Sequence, residues 1–505
     1  MYYYIEAMFH RKDGEFFLES KSKNKFFKGT FYVFIIKMLG AGLAFLTQVV
    51  ISKAIGIEDY GSLSLFLSIA NIMMVLPLIG MDTGIIRSVA AADEKSHKKW
   101  FLTITMKIAT LLLALILAIV FVTRNALFEA FNLDVELSLY LMLYVIFIAY
   151  SKIMDGFLQG EHKTVVANIF NPLLNNLLKI TVLAAVYTAT RDLLTTVIVL
   201  LAVEMVLVIA RFIYLAKGYM KVDPEPKGDV KGYVKYSLPL FFVASISILL
   251  LSLDKFILSY LMGNFEVGIL KIFENYAAIL ALFVTPFVTL WPIMSEYYRK
   301  DKMDELKDLF KQSTLVIAAL IMPAWITLTV STEEMLGIFG VDASEIGNIR
   351  LIMFLFFLGT VYDAIIGPAG ALLSMTKYSK INLYNNIALF VINIVLSFIL
   401  ISQIGLLGAA ISFSASKIFI NTLNVYQNKR LFNLFPYGKM HFLLIAAGIP
   451  VYYIGSWAKS FIDAGSIITI GTIGILSYIL YLSFFIALNK ESAKKLLIQI
   501  KKRKG

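Results

Sequence analysis

Seven lysines lie inside long apolar stretches of this chain: Lys37, Lys107, Lys152, Lys179, Lys255, Lys271 and Lys417. A charged side chain near the centre of a bilayer costs about 2.5–3.5 kcal/mol on insertion scales, so each needs a partner, a wet cavity or a path to the interface. The chemistry open to an ammonium in a low-dielectric cleft is to take over an anion from its water. Lys107 and Lys152 lie within reach of one interface and are expected to snorkel. Apparatus for bond-making is missing. Cysteine is absent, which removes thiol nucleophiles, disulfides and Cys-ligated metals, and no GxxxxGK[ST] phosphate loop occurs. The sequence therefore predicts no catalytic residue, no metal and no cofactor.

The elements that must position these lysines are membrane spans. Of 505 residues 59% are hydrophobic and 16% charged, a balance outside that of soluble domains. Hydropathy places apolar blocks near 29–52, 61–83, 100–123, 135–158, 165–187, 193–215, 233–258, 267–293, 312–331, 350–374, 381–402, 405–426, 440–457 and 467–488, about 14 spans of bilayer length. The reading is an all-α integral membrane protein. Lys and Arg alternate between the loops without a break, roughly 34 on the side of the N-terminus, roughly 5 on the other and about 7 within spans. Both termini are thus expected in the cytosol and the chain in the cytoplasmic membrane, and the net charge of +12 is a topology signal that needs no nucleic acid. The basic tail, Lys494, Lys495, Lys501, Lys502, Arg503 and Lys504, faces anionic lipid. Outer loops are short, the longest near 331–348, and His10, His97, His162 and His441 all fall on the cytosolic side, which argues against an outer active site of a polymerase or ligase.

Residues 51–66, ISKAIGIEDYGSLSLF, align without a gap to 258–273, LSYLMGNFEVGILKIF, placing Gly56 on Gly263 and Gly61 on Gly268 at an offset of 207. The repeat unit is six helices, so the copies share one orientation. The expected organisation is a cytosolic segment 1–28, a first lobe 29–220 (helices 1–6), a cytosolic linker 221–232, a second lobe 233–430 (helices 7–12), two added helices in 431–489 and a basic tail 490–505. A cleft between parallel lobes is where transporters of this build hold substrate.

Candidate cleft residues follow from the helical faces. Lys37 and Gln48 share a stripe with Ala41 and Ala44 on the first helix. Ser64, Ser68, Asn71 and Asp82 share a face on the second, and the repeat maps them onto Lys271, Asn275, Ala278 and Thr289, as it maps Thr47 and Gln48 onto Asp254 and Lys255. For Asp254 and Lys255, solvation near the outer interface competes evenly with a gate or substrate role. Asp82 and Arg87 suggest a salt bridge or hinge, and Lys179 with Glu204, and Asp363 with Lys417, suggest ion pairs within a lobe, with ion coupling the minority reading for Glu204 and Asp363.

The segments IGIEDYGSLSLFLSIANI and LIGMDTGIIRSVAA, the second copy SLPLFFVASISILLLSLDKFILSYLMGNFEVGILKIF, and GPAGALLSMTKYSKINLYNNIALFVINIVLSF with IGLLGAAIS resemble the oligosaccharide flippases of the multidrug/oligosaccharidyl-lipid/polysaccharide exporter superfamily over roughly residues 28–430. The resemblance implies rocking alternating access and export of a polyprenyl-pyrophosphate oligosaccharide for O-antigen, capsule or exopolysaccharide. It also implies polysaccharide polymerases and glycosyltransferases as candidate partners. The multidrug branch often carries a first-helix carboxylate where this chain has Lys37, and the arginine-rich opening helices of the lipid II flippases are not matched. An ion-coupled multidrug exporter is the alternative function.

The charge alternation is testable on a chain free of cysteine. A cysteine placed at Asp229 should stay silent to an impermeant thiol reagent added to intact cells, and one at Ser344 should react; the reverse pattern would invert the topology.

Overall fold

The computed structural model describes residues 20–223, 229–366, 368–435, 437–462 and 464–488; residues 1–19 with His10, the basic tail 490–505 and part of the expected linker lie outside them. Lipid offers backbone groups no partner, so every span satisfies its own as a helix. The first half of the chain forms α1 (Ser20–Ile55), α2 (Ile57–Leu78), α3 (Met81–Ala91), α4 (Lys95–Ala130), α5 (Leu137–Gly160), α6 (Thr164–Asn168), α7 (Asn175–Val186) and α8 (Leu193–Tyr219). The second forms α9 (Val230–Leu261), α10 (Asn264–Leu282), α11 (Trp291–Arg299), α12 (Met303–Val330), α13 (Thr332–Ile338), α14 (Ile349–Ile366), α15 (Pro368–Ser374) and α16 (Ser379–Phe432), followed by α17 (Lys439–Lys459) and α18 (Ser466–Leu488).

Among the described residues 12 helices are long and apolar enough to cross a membrane. One of them, α16, has 54 residues, about 80 Å at the helical rise and more than twice a hydrocarbon core. Its backbone leaves helical geometry at Ile404 and Gly405, where Gly405 takes φ +55°. Hydrogen bonds link Ser397 to Ser412 at 2.9 Å and Asn385 to Asn424 at 2.7 Å, both pairs centred on that turn, so α16 is two antiparallel spans. In α10, Glu266, Lys271 and Glu274 make the helix too charged for a hydropathy count. The second half of α16 and α10 add one each to the 12, which gives the 14 expected.

Two predicted spans are not continuous. The fifth is interrupted by a π turn at Ile169–Leu174 and the eighth by a 3-10 turn at Thr285–Leu290. Prolines stand at both breaks, Pro172 and Pro286, and a proline removes one backbone donor from the ladder.

The repeat is visible as a reciprocal contact. Gly56 and Gly263 precede α2 and α10 with φ of +84° and +120°, a region that glycine reaches without penalty. A Cβ on Gly61 would lie 1.8 Å from the Asn264 carbonyl oxygen, and a Cβ on Gly268 would lie 2.3 Å from the Ile57 carbonyl oxygen. Ile57 and Asn264 are themselves 207 residues apart, so each copy presents the same glycine to the same position of the other. Small residues that bring backbones together are the usual device of helix packing in lipid. At the opposite end α9 crosses α3, where Cβ atoms at Gly80 and Gly84 would meet the Ser237 carbonyl and hydroxyl oxygens at 2.4 Å.

The last two helices pack on α12 and α13. The Tyr478 hydroxyl donates to the Leu320 carbonyl at 2.8 Å and His441 Nε2 lies 3.2 Å from the Thr314 hydroxyl. At the far end Lys459 binds Glu334 at 2.8 Å and also Glu333, which takes Arg350 as well. Burial pushes the Glu333 carboxyl up, but the hydrogen bonds and charges of Arg350 and Lys459 hold it below its ordinary value.

The glycine contact predicts a specific defect. Gly61→Ala cannot be accommodated without moving α2 from α10, at about 1–3 kcal/mol, whereas Gly42, with nothing within 4 Å, should tolerate alanine. A cysteine replacing the buried Ser52 should become reactive in the Gly61→Ala background and stay protected beside Gly42→Ala; equal protection in both would remove the contact's importance.

Candidate functional site

Four helices, α1, α2, α9 and α10, converge beside the glycine contact and carry most of the polar positions picked out from the sequence. From α9, Lys255 Nζ reaches the Ser68 hydroxyl of α2 at 3.4 Å. From α1, Gln48 reaches Asn275 of α10 through one intermediary: the Tyr60 hydroxyl donates to Gln48 Oε1 at 2.9 Å and accepts from Asn275 Nδ2 at 2.7 Å. Gln48 and Lys255 are separated by 207 residues, and so are Ser68 and Asn275. The two links therefore join equivalent positions across a pseudo-twofold axis, one directly and one through Tyr60, whose own counterpart is Val267.

The charges do not follow that symmetry. Lys255 Nζ lies 3.0 Å and Lys271 Nζ 3.4 Å from Glu274, both on Oε2. Glu274 aligns with Leu67 in the first copy and Lys271 with Ser64, so two ammoniums and one carboxylate occupy one copy alone. Lys255 is buried at 7% exposure, and a charge so placed is held only by such partners.

Asp254 departs from the sequence reading. Adjacent helical residues point about 100° apart and do not share a face, and its Oδ1 takes the Ser397 hydroxyl of α16 at 2.6 Å while Lys255 turns to α2 and α10. Neither Asp254 nor Lys255 is solvated at an interface; both are buried.

Aromatic rings close the Gly56/Gly263 end. Phe339, in the turn after α13, meets Phe45 and Tyr276 edge-on with ring centroids 5.5 and 5.7 Å away and Tyr60 at a tilt at 6.3 Å, contacts that add to their buried area. The Ser52 hydroxyl donates to the Phe339 carbonyl at 2.9 Å, and the Tyr276 hydroxyl to that of Met335 at 3.1 Å. Asn264 Nδ2 donates to the Ser62 hydroxyl at 2.9 Å and to the carbonyl of Asn132 at 3.1 Å.

The remaining candidates are dispersed. Lys37 is exposed, on the face of α1 that carries Gln48 and three turns, about 16 Å, before it. Asn71 is exposed on α2. Asp82 and Arg87 form no salt bridge among the described residues; Arg87 instead stacks over the Tyr236 ring at 4.8 Å, beside a surface hollow of about 370 Å³ lined also by Phe101 and His97. Lys179 and Glu204 stand 3.4 Å apart, with Asn175 Nδ2 donating to the same Glu204 oxygen at 2.6 Å. Lys417 and Asp363 stand 2.8 Å apart and share Asn421. Each pair lies within one half of the chain. Lys107 and Lys152 are exposed.

Residues absent from the sequence reading complete the picture. Tyr60 and Glu274 are central to the site; Glu274 was visible as the i,i+3 partner of Lys271. Arg211, fully buried in α8, donates to Asp155 Oδ1 at 2.8 Å and to the Ser151 hydroxyl at 3.1 Å, and lies 5.1 Å from the Phe170 ring. Ser151 and Asp155 at i and i+4 of α5 were its available signal.

No single curated protein matches the sequence. The lipid II flippase MurJ in an inward closed conformation superposes with a TM-score of 0.71 at 16% identity, covering 90% of this chain and 98% of that one. An inward-facing multidrug resistance MATE transporter of the MOP superfamily superposes with a TM-score of 0.66 at 16% identity, over 79% and 98%. A MOP superfamily transporter from Pyrococcus furiosus, described as having a binding pocket of reversed polarity, gives 0.59 at 16% identity, over 80% and 95%. At these identities the likeness is one of fold. Residues 26–298, more than half of the chain, match the polysaccharide biosynthesis protein family. The chain belongs to that family and has the helical fold of the MOP-superfamily flippases and exporters.

Proposed function

We propose that the protein flips a polyprenyl-pyrophosphate-linked oligosaccharide across the cytoplasmic membrane, by alternating access of lobes 29–220 and 233–430 around a partly cationic cleft. The observation that carries this is the reciprocal crossing of Lys255 with Ser68 and of Gln48, through Tyr60, with Asn275. Both halves thereby contribute to one polar locus, where Lys255 and Lys271 meet Glu274 while the neighbouring Asp254 is turned to Ser397. A lipid pyrophosphate carries roughly two negative charges that cannot cross hydrocarbon bare, and ammoniums in a cleft replace their water. With both termini cytosolic, the aromatic and glycine contacts form the outer closure, and Lys37 lies toward the cytosolic side on the same face as Gln48. Membership of the polysaccharide biosynthesis protein family supports this reading, as does the likeness of the fold to that of the lipid II flippase MurJ.

The multidrug reading draws on the MATE likeness; the excess of lysine in the site favours an anionic cargo over a cationic drug. Loss of the protein distinguishes the two. Complete repeat units should accumulate on the lipid carrier, shielded from an external glycosidase until the membrane is opened, with loss of polymerised surface glycan. Truncated units would place the chain in synthesis, exposed units after translocation, and intact glycan with drug sensitivity in the multidrug branch.

Among the exposed lysines the reading separates two. Lys37→Ala should abolish surface glycan at normal protein levels and Lys152→Ala should leave it, as scored by glycan immunoblot against membrane content. Normal export by Lys37→Ala would remove that lysine from cargo handling.

A further inference from the structure

We propose that Glu274 is a built-in competitor for the cargo's phosphate charge, and that it sets how much negative charge a ligand must bring to occupy the Lys255–Lys271 site. The proposal rests on reading that site as an anion cradle. Both ammoniums converge on a single oxygen, Oε2, at 3.0 and 3.4 Å, and among the described residues Oε1 takes no hydrogen bond. The carboxylate thus stands where an anionic ligand's oxygen would stand. Lys255 forms the base at 8% side-chain exposure, while Lys271 and Glu274 are reachable at 23% and 26%. The acid is specific to this copy, because Leu67 holds the equivalent place in the other.

A bilayer is filled with monoanionic phosphodiester headgroups, and two uncompensated ammoniums open to a cleft would collect them. With Glu274 in place, a phosphodiester only exchanges one unit charge for another and must still be ordered and desolvated. A diphosphate, with roughly two charges, displaces the carboxylate and retains a net attraction. Rejection of the wrong ligand through a placed like charge is how binding sites obtain discrimination that attraction alone does not supply.

The test uses the full chain in zwitterionic phosphatidylcholine nanodiscs, titrated separately with a polyprenyl diphosphate and with phosphatidylglycerol. The unsubstituted protein should prefer the diphosphate. Glu274→Gln, and Glu274→Leu as the residue of the other copy, should bind phosphatidylglycerol about tenfold more tightly, so that the monoanion now occupies the site. An unchanged affinity for phosphatidylglycerol in both variants overturns the proposal. Lys255→Gln and Lys271→Gln separate the two levels of argument. Diphosphate binding that needs the lysines but ignores Glu274 removes only the competitor, whereas diphosphate binding that is absent, or indifferent to the lysines, removes the cradle itself and the competitor with it.

Discussion

The separation of α2 and α10 governs the rest of the molecule. At Gly61 and Gly268 the two backbones stand so close that a single added carbon would overlap a carbonyl oxygen. Seven residues further along each helix, two turns, come Ser68 and Asn275. There the gap is bridged by longer groups, a lysine on one side and a tyrosine with a glutamine on the other. The polar site is therefore a by-product of the apolar contact: hold the backbones together at one level, and side chains of fixed reach meet at the next. A bulkier residue at either glycine would draw the bridging groups beyond hydrogen-bond range as well as loosening the helices.

Symmetry supplies the frame and departures from it supply the chemistry. The backbone contact and the two crossing links obey the pseudo-twofold relation, whereas Lys271 and Glu274 break it with Ser64 and Leu67 as their counterparts. A duplicated scaffold allows this, because one copy can hold the geometry while the other is changed. Buried ionic groups are costly without partners, and here each lysine keeps one: Lys255 shares Glu274 with Lys271 and also touches Ser68.

Much of this was legible in the sequence. The 14 spans followed from block length, and the repeat followed from two glycines at a fixed offset, because backbone proximity tolerates no other residue. The mapping of Gln48 and Ser68 onto Lys255 and Asn275 was legible for the same reason. Direction was not. Asp254 and Lys255 are neighbours in sequence and were read together, yet the helix sends them to different partners. Tyr60 was hidden because tyrosine near a span end ordinarily belongs to an interfacial belt, and Arg211 because its partner lies 56 residues away in another helix. Asp82 and Arg87, read as a salt bridge or hinge, illustrate the limit of proximity for the first of these: five residues apart, they lie on different sides of α3.

The terminal hairpin, α17 and α18, is fastened to α12 and α13 by Tyr478, His441 and the Lys459 cluster, while its outer surface, including Trp457, Phe461, Ile468 and Ile475, is bare of protein. In a bilayer that surface is wetted by acyl chains. The hairpin adds lipid-facing surface to the second half of the chain, and viscous drag with it. When two linked bodies turn against each other in a viscous sheet, the narrower one sweeps the larger angle. Any rocking of the halves would accordingly turn helices α1 to α8 through the larger of the two angles.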